Sequence, residues 1–465
     1  MSASGFRKLT FAQEDLWLAR HLEPETPQNI VLYIDLADVN IALMKDSVRR
    51  ALSETETLRI CFVDTSGEQG FSVRELGSWE PLYLDFSGTP NPVNESEDFI
   101  VGELVEKYFS MDGRLFEIAL IRISEVKVRF VACFQHSIVD AVGSVLWIQR
   151  VFSIYNALSS GRDVPSSGFA GVDELSEHDN LYRLDRLTAD RDFWRSRIVD
   201  YIPSLAIPGH RGSGVPGRRR VHKRLQGELL ESIGLAARGS EVPLSRYLVA
   251  IIAASLRRYT YGDKYYVTMP MSNRDGAMRR TPTQLASVVP MLIDASPHLS
   301  FDHFVRKVNE ELKAIAEHSR FGVQSVIRDL KSTKRYPDLL GPSINVVPLV
   351  GSVGFNGASV NLQAASVGAS DSFSINIYYS GIGGGGGGEI EVEGDGRYYS
   401  ESDIVTFIEH CMSFMRQVSN WGRIESQIPS LMDLSAIELL DEVESGQLDV
   451  LGNRGVLGET GVGVS

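Results

Sequence analysis

A chain of 465 residues exceeds what one hydrophobic core commonly organises, so two lobes of about 200 residues each are expected. With 46 basic against 60 acidic residues and a net charge of −14, it lacks the basic surface that neutralises phosphates; this excludes a nucleic-acid binder and opposes docking on an anionic membrane. No stretch approaches about 18 uninterrupted apolar residues and no apolar core follows Arg7 and Lys8, so neither a membrane span nor a signal peptide is expected. Cys61, Cys133 and Cys411 each lie in or beside an apolar run, none in a C-x-x-C, and read as reduced, buried thiols of a cytoplasmic protein.

In chain order, Phe11 to Leu22 carries apolar residues at helical spacing, and Asn29 to Leu36 alternates as a strand does. Ile41 to Leu52 predicts an amphipathic helix, Leu58 to Val63 a buried strand, and Phe99 to Tyr108 a helix. Phe116 to Ile123 and Val126 to Phe134 predict paired strands around the polar break at Ser124 and Glu125. Val142 to Leu158 predicts a long apolar helix that ends near Gly161. The polar stretch from Ser159 to about Asp185 marks the expected lobe boundary.

A second mixed set follows. Ala189 to Val199, Leu244 to Tyr259, Phe301 to His318 and Ser402 to Gln417 predict helices. Tyr265 to Pro270, Ile344 to Val350 and Ser374 to Tyr379 predict strands. Six consecutive glycines, Gly383 to Gly388, precede the strand-like alternation of Glu389, Glu391 and Glu393 with Ile390 and Val392. A phosphate loop needs a helix there and usually a Lys, so a hairpin tip is expected. The basic run Arg218, Arg219, Arg220, His222, Lys223 and Arg224 reads as a solvated edge strand, or alternatively as a contact for a phosphorylated arm. Both halves mix strands with long helices, an α+β composition.

Of nine histidines, one sits where chemistry is expected. His136 lies in Phe134-Gln135-His136-Ser137-Ile138-Val139-Asp140-Ala141, between a buried strand and a long helix. The helix N-terminus there offers unpaired N–H groups and a partial positive charge, and Asp140 is placed to start the helix. By itself, H-x-x-x-D is a weak signal.

That run resembles the H-H-x-x-x-D-G signature of nonribosomal peptide synthetase condensation domains, and further motifs of that family appear in order. Thr10, Ala12, Gln13 and Trp17 resemble S-x-A-Q-x-x-x-W, followed by Pro27, Gln28 and Asn29. Glu56, Leu58, Arg59 and Phe62 resemble R-H-E-x-L-R-x-x-F, and Asp190, Arg191, Phe193 and Trp194 resemble D-R-x-F-W. Met269, Pro270, Asn273 and Arg274 are similar to G-x-P-x-x-G-R, and Pro290 to the proline of N-T-L-P-L. Gly341, Pro342, Asn345, Val346 and Pro348 resemble G-P-x-x-N-V-x-P. The resemblance covers roughly residues 8 to 430; beyond it Leu440, Leu451, Gly452, Asn453, Arg454 and Leu457 resemble the linker toward an adenylation domain.

The resemblance implies two chloramphenicol-acetyltransferase-like sandwich lobes in a V shape with a tunnel between them. The expected divisions are 1–175 and 176–430 for the lobes and 431–465 for the linker. The implied reaction is amide-bond formation between a carrier-bound acyl or peptidyl thioester and a carrier-bound aminoacyl acceptor, as in antibiotic or siderophore biosynthesis. The partners implied are donor and acceptor peptidyl carrier domains, whose 4'-phosphopantetheine arms hold the substrates, and a downstream adenylation domain in the same chain. A monomer with no metal and no cofactor of its own is expected, as the N-terminal domain of an actinobacterial-type synthetase. Because Met1 precedes Thr10 by only nine residues, the donor is expected to arrive in trans.

Residue by residue, His136 matches the second motif His and is the implied catalytic residue, facing the tunnel as a base or a positioning group. Asp140 and Arg274 resemble a buried structural ion pair. Gln13, Trp17 and Ser287 are tunnel or substrate candidates. Three departures stand out: Gln135 replaces the first His, Ala141 the Gly, and Ser287 lies near the Asn of N-T-L-P. Gln135 is expected to orient the strand end or the His136 loop, and the Ala141 N–H to assist an oxyanion, its methyl narrowing the tunnel. Gln135 and Ala141 also fit a catalytically silent domain that recruits a partner enzyme, which His136 and Asp140 oppose. An ester-forming acyltransferase is a further alternative. A hydrolase is opposed, since no G-x-S-x-G is present.

Overall fold

The computed structural model describes residues 5–22, 27–65, 67–198, 217–259, 262–329, 341–348, 353–367, 373–379, 387–424 and 434. The linker-like motif from Leu440 to Leu457 and most of the glycine run lie outside the described residues.

The strands Phe116–Arg122 and Lys127–Gln135 are apolar almost throughout, because both faces of their sheet are covered. They sit inside a five-stranded sheet in the order Gln363–Val367, Asn29–Ala37, Lys127–Gln135, Phe116–Arg122, Leu82–Asp85. One face packs on the helices Ile41–Glu54 and Ala141–Ser159, where Val48, Leu52, Phe130, Phe134, Trp147 and Phe152 are buried. Asn40 caps the first of these helices by accepting from the Leu43 N–H, and Asp140 caps the second.

A six-stranded sheet organises the second core, in the order Ser287–Asp294, Lys264–Met271, Ser343–Pro348, Phe373–Tyr379, Gly388–Asp395, Arg218–Leu225. Leu244–Leu256, apolar nearly all round, is buried between this sheet and the helices Phe301–Glu317 and Glu401–Ile424. Gly341 enters the sheet where a Cβ would meet the Tyr266 carbonyl oxygen at 1.8 Å, so only glycine fits. The two cores, one fed mainly by residues 9–172 and the other by 182–434, make a two-lobed α+β molecule.

Several elements differ from the sequence expectations. Within the polar stretch taken as a boundary, Val172–Asp185 is a helix whose buried residues Val172, Leu175, Asp179 and Tyr182 form one narrow stripe, too sparse for a clear amphipathic signal. The helix expected over Phe99 to Tyr108 is instead an α-helix over Pro92–Phe99 that continues as a π-turn over Ile100–Val105. Residues 353–367, within the expected second lobe, pack on the first: Gln363–Val367 pairs with Asn29–Ala37, and Phe355 stacks on Tyr155. The basic run is an edge strand pairing antiparallel with Gly388–Asp395, so Arg220 faces Glu393 and His222 faces Glu391. Cys61, Cys133 and Cys411 are buried and unpaired by disulfides.

Candidate active site between the lobes

The strand Lys127–Gln135 delivers His136 to a turn, and the helix Ala141–Ser159 starts five residues later. The His136 N–H donates to the Gln28 carbonyl at 2.8 Å, which fixes the turn to the entry of the neighbouring strand. Gln135 is fully buried; its Oε1 accepts from the Ser137 N–H at 2.6 Å, so the amide braces the His136 turn. The imidazole keeps partial exposure, while its Nδ1 is buried with no partner within hydrogen-bonding distance among the described residues. Burial lowers the imidazole pKa below the ordinary histidine value; the opposing pulls of its own carbonyl, of Asp140 and of Gln284 are smaller. The lowered pKa favours the uncharged imidazole at neutral pH.

Asp140 is the hub behind it. Its Oδ1 accepts from the Gly143 N–H at 2.8 Å and from Arg274 Nη2 at 2.6 Å, and its Oδ2 from the Leu285 and Ala286 N–H groups at 3.1 Å. Arg274 also donates to the carbonyls of Met278, Thr281 and Thr283 at 2.8–2.9 Å. Both side chains are nearly sealed, at 3% and 6% exposure, so each charge is met by charge-assisted hydrogen bonds on several sides. Gly143 makes room: a Cβ there would lie 2.6 Å from Val139 Cγ2 and 2.9 Å from Arg274 Nη2.

The second-lobe segment from Asn273 to Ser287 is thus clasped by the first lobe. Ala170 N–H donates to Thr281 Oγ1 at 2.9 Å and Thr57 donates to the Pro282 carbonyl. Asn273, at φ 52°, donates to the Leu285 carbonyl and to Ser287 Oγ. Asparagine tolerates that left-handed backbone.

The remaining candidates lie apart from the imidazole's polar contacts. Gln13 is fully buried and forms a capping box with Thr10, its Oε1 accepting from the Thr10 N–H at 3.0 Å and its N–H donating to Thr10 Oγ1. That geometry gives it a helix-capping role, while its buried Nε2 has no hydrogen-bond partner among the described residues. Trp17 packs against Phe62 on the first core. Ser287 donates to the Ser319 carbonyl and accepts from Asn273. Ala141 is exposed at the first helical position, where the helix leaves its N–H without an internal acceptor. Sequence reading missed Gln284 and Gly143, because neither carries a motif signal; only the pairing of the lobes gives them neighbours. Among the described residues no cluster of His, Cys, Asp and Glu could hold a metal, and no helix is long and apolar enough to cross a membrane.

A largely buried histidine on a strand-to-helix turn, held where two mixed α+β lobes meet, is the arrangement expected of an acyltransferase-type domain. The condensation-domain family model matches residues 3–432, and the chain belongs to that family, whose members are acyl-transferring, amide-bond-forming enzymes of nonribosomal peptide synthesis. It is 26% identical over 419 residues to the isonitrile lipopeptide synthase of Streptomyces coeruleorubidus, covering 88% of this chain and 28% of that protein. It is 27% identical over 417 residues to the dimodular nonribosomal peptide synthase of Bacillus subtilis (strain 168), covering 88% of this chain and 17% of that one. The chain thus spans under a third of either relative.

Two solved structures share the fold. One is a mutant of the starter condensation domain of rhizomide synthetase in complex with C8-CoA, with TM-score 0.83, 21% identity, and 94% and 98% of the two chains covered. The other is the first condensation domain of the calcium-dependent antibiotic synthetase with a substrate analogue, with TM-score 0.81, 24% identity, and 95% and 100% covered.

Proposed function

We propose that this domain joins a carrier-bound acyl or peptidyl thioester to the amine of a carrier-bound aminoacyl group, with His136 as the base. The observation that carries this reading is the neutral imidazole held at the junction of the lobes, with Nδ1 buried and the ring still partly exposed. The amine nitrogen attacks the thioester carbonyl, and the imidazole accepts the proton that the nitrogen sheds. The tetrahedral oxyanion then collapses, expelling the pantetheine thiolate, which takes up a proton. Alignment of the two substrates supplies up to roughly 7–11 kcal/mol and the base about 10²–10⁴-fold. The Ala141 N–H, at the helix start and without an acceptor inside the helix, is the group assigned to help the oxyanion. Asp140 and Arg274 are a structural pair that holds the lobes and the His136 turn in register.

The substrates arrive on the phosphopantetheine arms of donor and acceptor carrier domains, as the multidomain make-up of the relatives supports. The test is a single-turnover assay with acyl and aminoacyl groups on separate carriers. The wild type forms amide, and His136→Ala loses about 10²–10⁴-fold. Full product formation by His136→Ala excludes the base. Product only with a free alcohol makes the domain ester-forming, and none from the wild type with any donor makes it a silent recruiter.

A further inference from the structure

The imidazole's Nδ1 and the side-chain oxygen of Gln284 are both buried and both without a hydrogen-bond partner among the described residues. Gln284, from the opposite lobe, is 1% exposed, and its carboxamide lies against the His136 ring. Its Nε2 donates to the Ala286 carbonyl at 2.7 Å, which fixes the orientation of the amide, since a carbonyl accepts only from the N–H side. Oε1 is then the outward atom, and it has no hydrogen-bond partner among the described residues. The backbone beside Gln284 is immobilised by the catalytic lobe: Leu285 and Ala286 N–H groups bond Asp140 Oδ2, and the Thr283 carbonyl bonds Arg274.

We propose that Gln284 is a positioning residue for the reaction, whose Oε1 accepts the Nδ1–H of His136 across the lobe junction. The inference rests on His136 being the base. A neutral imidazole has one N–H; placing it on Nδ1 leaves the Nε2 lone pair to take the amine proton. The ring's own carbonyl is a rival acceptor for the same N–H, and either contact also favours the protonated ring as it forms. Gln284 differs from that carbonyl in belonging to the other lobe, so the correct tautomer is favoured only while the lobes are clasped. A neutral amide accomplishes this with a smaller upward pKa shift than a carboxylate would impose. Among the described residues the formal charge that acts on the ring is Asp140, which Arg274 pairs at 2.6 Å.

The test compares pH–rate profiles of the whole domain, with both substrates on carriers, for wild type, the near-isosteric Gln284→Met, Gln284→Glu and His136→Ala. Gln284→Met should lower kcat about 10-fold with acceptor KM changed less than about twofold, and move the acid limb to lower pH because an acceptor that favours the charged ring is gone. Gln284→Glu should move the acid limb up by about one pH unit or more, since a carboxylate stabilises imidazolium. Nitrogen-15 spectra of the unliganded domain read the tautomer directly, with Nδ1–H in the wild type and a mixture in Gln284→Met. An unchanged acid limb and an unchanged tautomer in folded Gln284→Met overturn the proposal while His136→Ala stays inactive. An active His136→Ala overturns the base reading instead.

Discussion

At the residue scale, the proposed role of His136 as the base makes its protonation state the controlling quantity. Burial lowers its pKa, so the imidazole is neutral through most of the physiological range and the acid limb of the rate should fall with an apparent pKa below about 6.5. The same shift bears on stability. A histidine whose folded pKa is depressed contributes stability above its unfolded pKa and loses it as pH falls through the folded value. His136→Gln, neutral at every pH, should therefore melt with a shallower acid dependence than the wild type between about pH 6.5 and 5. Parallel melting curves across that window contradict the buried imidazole. Gly143 offers a second residue-scale check. The Cβ of Gly143→Ala would press on Val139 and on the Arg274 guanidinium, so a loss of about 1–3 kcal/mol in urea unfolding is expected. Helix propensity alone would have made that substitution stabilising by roughly 0.5–1 kcal/mol, so the sign decides.

Two charged assemblies set the element scale. Asp140 closes the N-terminus of a long helix and receives Arg274 from the other lobe. Asp140→Ala strands the guanidinium among three carbonyls and should cost about 3–5 kcal/mol, seen as a lower urea midpoint together with lost activity. Unchanged stability would reassign the pair.

The edge strand gives the second case. Arg220 bonds Glu393 at 3.1 Å, lies 3.5 Å from Glu391 and donates to the Ala365 carbonyl of the strand that crosses to the first lobe. Glu391 and Glu393 are almost fully buried, and burial pushes the Glu391 carboxyl above its usual range despite Arg220. Arg220→Met removes the compensating charge, so the Glu391 carboxyl rises further. A carboxyl with a raised folded pKa stabilises at low pH and loses that stability as pH rises. The deficit of Arg220→Met should thus be largest near pH 8, about 3 kcal/mol, and shrink toward pH 5. A pH-independent deficit would show that the contact with Ala365 matters more than the charges.

At the scale of the whole molecule, the first helix belongs to both lobes: Phe11 packs in the second core and Trp17 against the first. Between them Asp15 accepts from Ser325 of the second lobe at 2.9 Å, and burial raises its carboxyl to about 6. Its stabilising contribution is complete below the unfolded carboxylate value and is lost as pH rises through about 6. Asp15→Asn keeps the hydrogen bond without the charge. It should be more stable than the wild type by about 1–2 kcal/mol at pH 8 and equal near pH 3.5, the partial exposure of the site discounting a larger figure. Equal melting at both pH values would show that the carboxyl is hydrated and does not gate the lobe contact.

Much of this protein was legible from residue order. The paired strands around Ser124 and Glu125, the apolar helix behind His136, the central helix from Leu244 and the edge strand of arginines all follow from local patterns, and a local pattern records which face an element buries. The family resemblance, carried by short motifs in order, led to the right class of domain. Other features depend on partners that sequence separation hides. Val172–Asp185 is a helix because a thin stripe finds a partner, and Gln363–Val367 leaves its own lobe to pair with Asn29–Ala37. Gln13, a tunnel candidate by motif, also caps its own helix, a contact the motif does not announce. Gln284 carries no signal until the clasp on Asp140 brings it to His136, 148 positions earlier in the chain. The sequence determined the elements and the chemistry available to them. Only the closure of one lobe on the other decided which buried polar atoms meet, because hydrogen-bond complementarity across a lobe junction has no period along the chain.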